Sequence, residues 1–89
     1  IKFFESEGNY VRIHFENNKP LILKSLNSID ERLEHKTFFR ASRSIIVNLK
    51  WIESIEPSIT GGLTAKLRSG ERVEISRRQA LKFKESLSL

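Results

Sequence analysis

A run of eighteen residues, 38–55, limits the fold of this chain more than any other feature. Three apolar groups follow one another in it, at 38–39, 45–47 and 51–55, and they are rich in the aromatic and β-branched side chains that strands favour. A short polar and basic gap, residues 40–44, separates the first two groups. Burying an unpaired charge costs several kcal/mol, so the arginines of this gap must lie at the surface or against a ligand. The run therefore predicts core strands joined by a turn that carries exposed arginines.

The start of the chain has the pattern of a hairpin. Residues 3–4 are both Phe, and residues 11–15 alternate apolar and polar side chains with the period of two typical of a half-buried strand. Between them, Gly8 and Asn9 accept the positive φ of a tight turn, which would present Asn9 and Tyr10 at its tip. The residues alone leave two interpretations open, a loop that touches a ligand and a turn with no further role.

A short strand at 21–23 leads into a mid-chain helix. Ser25 is the predicted N-cap, and Leu26, Ile29 and Leu33 recur at helical spacing. The side chains of the opposite face are acidic: Asp30, Glu31 and Glu34. Because carboxylates and phosphates repel, this helix is not expected to lie on a nucleic acid.

The second half of the chain continues in strands. Residues 51–55 predict one strand, and 63–67 and 73–75 predict a hairpin turned at Ser69–Gly70. Asn48, which interrupts the apolar run, is expected to bond local backbone. The predicted fold is mainly β and elongated, with three small antiparallel sheets or one strongly bent sheet, the mid-chain helix and a C-terminal helix.

The C-terminal helix begins with charges that need an explanation. Ser76 and Gln79 have the spacing of a capping box, so the helix is expected to start at this point. Arg77 and Arg78 then occupy its first turn, where positive charge opposes the helix dipole unless an anion binds. The pair is therefore either a ligand contact or two solvated residues.

Charge favours an anionic partner. The net charge is +5, and it is concentrated in two segments. Residues 36–50 carry four basic side chains and no acid, and residues 66–89 carry seven basic side chains against three acids.

The chain lacks the residues that several classes of protein require. The chain has no cysteine and two histidines, too few for a closed zinc site, and it shows no cofactor-binding motif. It also has no nucleophile elbow, Walker loop or HExxH motif, so no enzyme is expected. No apolar run approaches the roughly 20 residues of a membrane span.

Two hypotheses of different classes remain. One is a sequence-specific binder of double-stranded DNA, and the other is a β-rich module that binds a protein or peptide at a sheet edge. Arginines at projecting turns, such as Arg43 and Arg78, favour DNA. RNA is a weaker third choice, because most of the few aromatic residues fall at predicted core positions.

The segment Phe39–Asn48, FRASRSIIVN, taken together with Phe38 before it, resembles the signature of LytTR domains, approximately F-x-R-x-H-R-S-[YFI]-[IVL]-V-N. The flanking motifs FFES at 3–6, IESI at 52–55 and VEISRR at 73–78 follow in the order of that family. The resemblance covers nearly the whole chain. It departs at Ser42, where many members carry His, so the contact made by that imidazole is not expected here.

The resemblance implies the DNA-binding output domain of a bacterial, cytoplasmic response regulator of a two-component system. Such a domain reads promoter direct repeats as a homodimer, places loops between strands in successive major grooves, and is switched by a receiver domain in the same full-length chain. Residues 1–89 would form this one domain. Because the chain starts at Ile1 and lacks Met, it is expected to be a piece of a longer regulator, without its first strand.

By resemblance, three loops would carry the DNA contacts: Asn9 and Tyr10; Ser42 and Arg43 with Arg40 nearby; and Arg77 and Arg78. Arg43 and Arg78 are the predicted base readers, because a guanidinium can bond O6 and N7 of guanine together. The predicted phosphate contacts are Lys24, Ser44, Ser76 and Lys82. No metal or cofactor is expected to take part.

Overall fold

The computed structural model describes residues 1–87, with the backbone alone for Ser86 and Leu87. Within this range eight strands, one 3₁₀ turn and two α-helices follow in chain order. The strands are β1 Phe3–Glu7, β2 Tyr10–His14, β3 Leu21–Ile22, β4 Phe38–Arg40, β5 Ile45–Asn48, β6 Ile52–Pro57, β7 Leu63–Leu67 and β8 Arg72–Ile75. The helices are α1, Leu26–Asp30, and α2, Arg77–Leu87, and the 3₁₀ turn is Leu49–Trp51.

The larger sheet has five antiparallel strands in the order β3-β2-β1-β5-β4. Strand β1 lies at its centre, between its hairpin partner β2 and the strand β5 from the apolar run. In register, Phe3 lies opposite Val47 and Phe4 lies opposite Ile46. Because successive side chains point to opposite faces of a sheet, these two pairs belong to two different cores.

The first core joins both sheets and α2. Its buried members are Phe3, Ala41, Val47, Leu63, Ala65, Leu67, Val73, Ile75, Ala80 and Phe83. The second core lies between the other face of the larger sheet and α1, and its buried members are Phe4, Val11, Leu26, Ile29 and Ile46. Burial stabilises a fold by about 25 cal/mol for each Å² of apolar surface removed from water. Because a core lies on each face of the larger sheet, both faces contribute to its stability.

The smaller sheet has three antiparallel strands in the order β6-β7-β8. A partly buried ion pair ties it to the larger sheet, because Nζ of Lys2 lies 2.6 Å from Oε1 of Glu71. At the β6–β7 turn, a Cβ on Gly62 would lie 2.1 Å from the carbonyl oxygen of Ile75. Only glycine therefore lets the backbone of this turn approach the end of β8.

The mainly β fold with two helices is confirmed, but the number of sheets is two, and the prediction of three small sheets or one bent sheet was wrong. Helix α1 is shorter than its apolar spacing indicated, since Glu31 caps it and Leu33 lies beyond its end. Trp51 belongs to the 3₁₀ turn, so the strand after it begins at Ile52. The dimensions, 34 × 25 × 25 Å, make the domain longer along one axis.

Two local predictions are confirmed in atomic detail. Ser25 caps α1, and its side chain accepts a hydrogen bond from the amide of Ser28 at 3.1 Å. Asn48 bonds local backbone, because its Oδ1 accepts from the amide of Lys50 at 2.9 Å. Its Nδ2 also makes a long-range bond, in which it donates to the carbonyl of Ile1 at 2.7 Å.

Candidate nucleic-acid interface

Three loops meet at one end of the larger sheet. Together called the loop end, they are residues 8–10 at the β1–β2 hairpin, 41–44 between β4 and β5, and 76–78 at the start of α2. The amide of Ser6 donates to the carbonyl of Ser44 at 2.8 Å, so the first two loops lie side by side. The amide of Ser76 donates to the carbonyl of Ala41 at 2.9 Å, which puts the third loop beside the second.

The first loop is a tight hairpin whose tip is exposed. Gly8 has a φ of 62°, and Glu7 lies opposite Tyr10 in the ladder, so Asn9 and Tyr10 project into solvent. The nearby carboxylate of Glu7 accepts a hydrogen bond from Nε of Arg12 at 2.6 Å. That hydrogen bond holds the pKa of Glu7 below its ordinary value. The one acid of this hairpin end thus has a cationic partner of its own.

The second loop is closed by its own hydrogen bonds. The amides of Ala41 and Ser42 both donate to the carbonyl of Ile45, at 2.9 and 3.2 Å, and Oγ of Ser42 accepts from the amide of Ser44 at 3.2 Å. Arg43 lies at the outside of this turn. It is exposed, and within residues 1–87 its guanidinium has no hydrogen-bond or ion-pair partner.

Arg40, three residues earlier, has the opposite environment. Its Nε donates to the carbonyl of Ser42 at 2.6 Å, and its Nη2 donates to the carbonyl of Arg43 at 2.8 Å. Its Nη1 donates to Oδ1 of Asn27 at 3.0 Å and to Oδ2 of Asp30 at 3.3 Å. The same run therefore holds one bound guanidinium and one free guanidinium.

The third loop likewise carries one bound guanidinium, that of Arg77, and one that is free among the described residues, that of Arg78. Oγ of Ser76 accepts from the amide of Gln79 at 3.3 Å, which confirms the predicted N-cap of α2. Arg77 turns away to the β6–β7 turn, where its Nη2 donates to the carbonyl of Thr60 at 3.2 Å. A Cβ on Gly61 would lie 2.7 Å from Nε of Arg77, so this glycine makes room for the guanidinium.

A groove of about 540 Å³ separates the second and third loops. It is lined by Ser42, Arg43, Ser44, Ser76, Arg78 and Gln79. Arg78 is exposed and, like Arg43, has no partner among the described residues. Two free guanidinium groups and three hydroxyl groups along one groove favour an anionic ligand.

Two lysines flank the loop end. Ile22 of β3 lies opposite Val11 near the start of β2, so Lys24 lies on the side of the hairpin tip. Lys82 of α2 and Arg43 line a second groove, of about 550 Å³, between α1, β4 and α2. Both lysines are exposed, and their ammonium groups have no partner in the part of the chain that the structure describes.

The fold brings the predicted site residues together at or beside the loop end. Within residues 1–87 some of their side chains are free, and others are bound within the protein. The free cations at or beside the loop end are Lys24, Arg43, Arg78 and Lys82. Asn9 and Tyr10 project at the hairpin tip, while Ser42 and Ser76 use their hydroxyls to shape loops. The Arg40 and Arg77 guanidinium groups are bound to backbone carbonyls.

Four Ser, Asn and Gln residues that line a groove together with Arg43 were missed by the sequence predictions: Ser6, Ser25, Asn27 and Gln79. Ser25 and Gln79 had a signal as capping residues, but nothing in the pattern placed them beside Arg43. Ser6 lines a third groove, with Asn27 and Arg43, because β1 pairs with β5, which no local pattern specifies.

Other kinds of site find no support in the described part of the chain. No group of three or more His, Cys, Asp and Glu side chains in residues 1–87 is arranged to hold a metal ion. Over the same range, no helix has the length and apolar character needed to cross a membrane.

Comparison with known proteins gives a consistent result. A family model described as the LytTr DNA-binding domain matches residues 1–88. The chain is 37% identical to the sensory transduction protein LytT of Enterococcus faecalis over 65 residues, which are 73% of the chain. Over 83 residues, 90% of the chain, it is 34% identical to LytT of Oceanobacillus iheyensis. The matches span only 27% and 34% of those two relatives.

The fold also matches a solved structure. A LytTr DNA-binding domain from Bacillus cereus superposes with a TM-score of 0.92 and 26% sequence identity, and the match covers all of this chain and 82% of that one.

Proposed function

The chain belongs to the LytTr DNA-binding domain family, and we propose that it reads a specific double-stranded DNA sequence with its loop end. As its part in a regulator, it would serve as the output domain that brings a transcriptional response regulator to promoter DNA. The relatives that carry the name sensory transduction protein support this role.

The observation that carries the proposal is the pair of free guanidinium groups, Arg43 and Arg78, on one groove at the meeting of the loops. An arginine can bond O6 and N7 of guanine in the major groove, the commonest specific contact between protein and DNA. Side chains already bound within the protein cannot do this without breaking those bonds. Arg43 and Arg78 are therefore the proposed base readers, and the loops rather than a helix carry them into the major groove.

The remaining loop residues complete the proposed contact surface. Asn9 and Tyr10 extend it along the first hairpin, and Ser42 lies beside Arg43. Lys24, Ser44, Ser76 and Lys82 are proposed phosphate contacts, since phosphate contacts position a protein on the duplex while base contacts specify the sequence. Arg40 and Arg77 are proposed to support DNA binding indirectly, through their hydrogen bonds to the backbone carbonyls of turns.

The wider assembly is proposed from the family. The regulator would bind direct repeats in promoters as a homodimer, and a receiver domain in the same full-length chain would control it. The chain spans about a third of the curated relatives it matches, which leaves room in such relatives for a further domain.

Selection from randomised duplexes tests the proposal. The purified chain is mixed with a random duplex pool, bound DNA is recovered by gel shift over several rounds, and affinity is then measured by fluorescence anisotropy for the selected sequence and a scrambled one. A preference of about 10³-fold or more would match specific DNA-binding proteins. Equal affinity for both duplexes would contradict sequence-specific reading, and binding to neither would favour the sheet-edge peptide module instead.

A further inference from the structure

We infer that Arg40 is a positioning residue for DNA reading: it clamps the second loop to α1 and thereby aims Arg43. The inference rests on the proposed function. It gives Arg40 a role distinct from that of a DNA contact, and it gives an acidic residue of α1, Asp30, a favourable role in binding an anionic partner.

The hydrogen bonds of Arg40 leave it little to offer DNA. An arginine has five N–H donors, and four are directed at Ser42, Arg43, Asn27 and Asp30 at the distances given above. The side chain is 21% exposed, compared with the exposed Arg43 beside it. A phosphate or base would have to compete with an existing set of charge-assisted hydrogen bonds.

The two carbonyls that Arg40 binds belong to the turn that carries Arg43. The carbonyls of Ser42 and Arg43 both lie between β4 and β5, outside either strand, so neither has a partner in the sheet. The planar fork of a guanidinium binds both at once, with a geometry that an ammonium group cannot reproduce. Fixing these carbonyls fixes the backbone from which the Arg43 side chain projects.

Helix α1 anchors the other side of Arg40. Leu26 and Ile29 are buried in the second core, so the helix is held against the larger sheet. Asn27 and Asp30 extend from the same helix to Nη1 of Arg40. The second oxygen of Asp30 lies 3.5 Å from Nε2 of His35. The chain of contacts therefore runs from the core through α1 and Arg40 to the loop.

The clamp and simple electrostatics predict opposite changes in DNA affinity when the charge of Asp30 is removed. Removing a negative charge near DNA normally raises affinity, because the carboxylate no longer repels phosphate. If Asp30 acts by holding Arg40, Asp30→Asn should instead lower the affinity for the selected duplex, by about 5-fold. Glu31 is the matched control, because it is an exposed acid on the same helix end. Glu31→Gln should leave the affinity unchanged or raise it slightly.

A double-mutant cycle separates positioning from direct contact. Arg40→Lys keeps the charge, and we expect it to lower affinity for the selected duplex about 10-fold while affinity for scrambled duplex changes less than about 2-fold. In an Arg43→Ala background the same substitution should cost less than about 2-fold, because the side chain it positions is gone. Additive losses in the two backgrounds would overturn the inference, as would an increase in affinity for Asp30→Asn.

A measurement without DNA keeps this inference separate from the proposed function. Amide hydrogen exchange by NMR should show faster exchange of the Ser44 amide, by about 10-fold, in Asp30→Asn than in Glu31→Gln, with both variants melting near the parent temperature. Unchanged exchange at Ser44 would overturn the clamp even if the parent prefers its selected duplex. A parent that showed no such preference would overturn the proposed function, while the exchange result would still decide whether the clamp exists.

Discussion

The loop end and the three-stranded sheet use the same basic residue types in opposite ways. Within the strands of the smaller sheet and its β7–β8 turn each cation has a partner: Lys66 lies 3.7 Å from Glu53, Arg72 lies 3.0 Å from Glu56, and Arg68 lies 4.6 Å from the ring centroid of Trp51. At the loop end Arg43 and Arg78 have none among residues 1–87. The guanidinium groups of Arg43 and Arg78 are therefore available to a ligand at the loop end, whereas the cations of the three-stranded sheet are already partnered.

The same contrast holds for glycine. Gly62 in the β6–β7 turn is buried and has no room for a side chain, whereas Gly8 at the hairpin tip has nothing within 4 Å of where a Cβ would lie. One region has the close packing that stabilises a fold, and the other has the open surface that a ligand needs. Four measurements test this division between stability and binding.

The largest effect is expected from Gly62→Ala. The new Cβ would collide with the carbonyl oxygen of Ile75 at 2.1 Å, and since that atom is backbone, the turn or β8 must shift. We expect a loss of about 3 kcal/mol or more in the free energy of unfolding, measured by urea denaturation. Gly8→Ala, which meets only the strain of a positive φ, should cost about 1–2 kcal/mol. Equal losses would show that close packing is not what separates the two regions.

Removing a reader should impair binding without impairing the fold. Arg43→Ala or Arg78→Ala should each cost about 1–3 kcal/mol on the selected duplex and less on a scrambled one, because a base contact matters only where the base is right. Arg72→Ala, in the three-stranded sheet, is the matched control and should cost less than about 0.5 kcal/mol on either duplex. Anisotropy titrations of all three variants would decide, and a larger loss for Arg72→Ala would reverse the comparison.

A lysine that contacts phosphate should contribute equally to the affinity for any DNA sequence. Lys82→Ala should weaken binding to selected and scrambled duplexes equally and reduce the slope of log K against log salt by about 0.9, the value for one phosphate. Lys84→Ala, two residues further along α2, serves as the control and should leave the slope unchanged. Titrations at several salt concentrations measure both, and equal slopes for parent and Lys82→Ala would remove Lys82 from the contact surface.

The smallest effect concerns the ion pair that joins the sheets. Partial burial would raise the pKa of Glu71, but hydrogen bonds from Lys2 and Ser69 outweigh it and place the pKa below its ordinary 4.5. A carboxyl with a lowered folded-state pKa stabilises the fold above its unfolded pKa and loses that contribution as the pH falls through the folded value. The stability advantage of the parent over Glu71→Gln should thus be full above about pH 5 and shrink as the pH drops below 4.5.

Denaturation curves at several pH values give this difference directly. Lys66 and Glu53, an exposed pair in the three-stranded sheet, provide the control, because Glu53→Gln should show little dependence of this kind. An advantage of the parent over Glu71→Gln that stayed constant with pH would show that the Lys2–Glu71 pair does not contribute through charge.

Local chemistry explains what could be predicted. Ser25, Ser76 and Asn48 act on backbone within a few residues of themselves, so their roles as caps and turn residues follow from spacing alone. The alternation in 11–15 and 63–67 likewise predicts strands, because a period of two needs no distant partner. The number of sheets could not be predicted in this way, since it depends on which strands pair across the chain.

The sequence by itself determined the strands, the helix starts and the family, and through the family the three loops that are proposed to contact DNA. Only the tertiary structure decided which arginines are free. Arg40 and Arg43 look alike in sequence, as do Arg77 and Arg78, yet one of each pair is bound to backbone carbonyls. The partners of the bound arginines include Asp30 on α1 and Thr60 at the β6–β7 turn. The physical reason is that a hydrogen bond needs its two groups within about 3 Å, and residues 10 to 17 positions apart reach that distance only when the chain has folded.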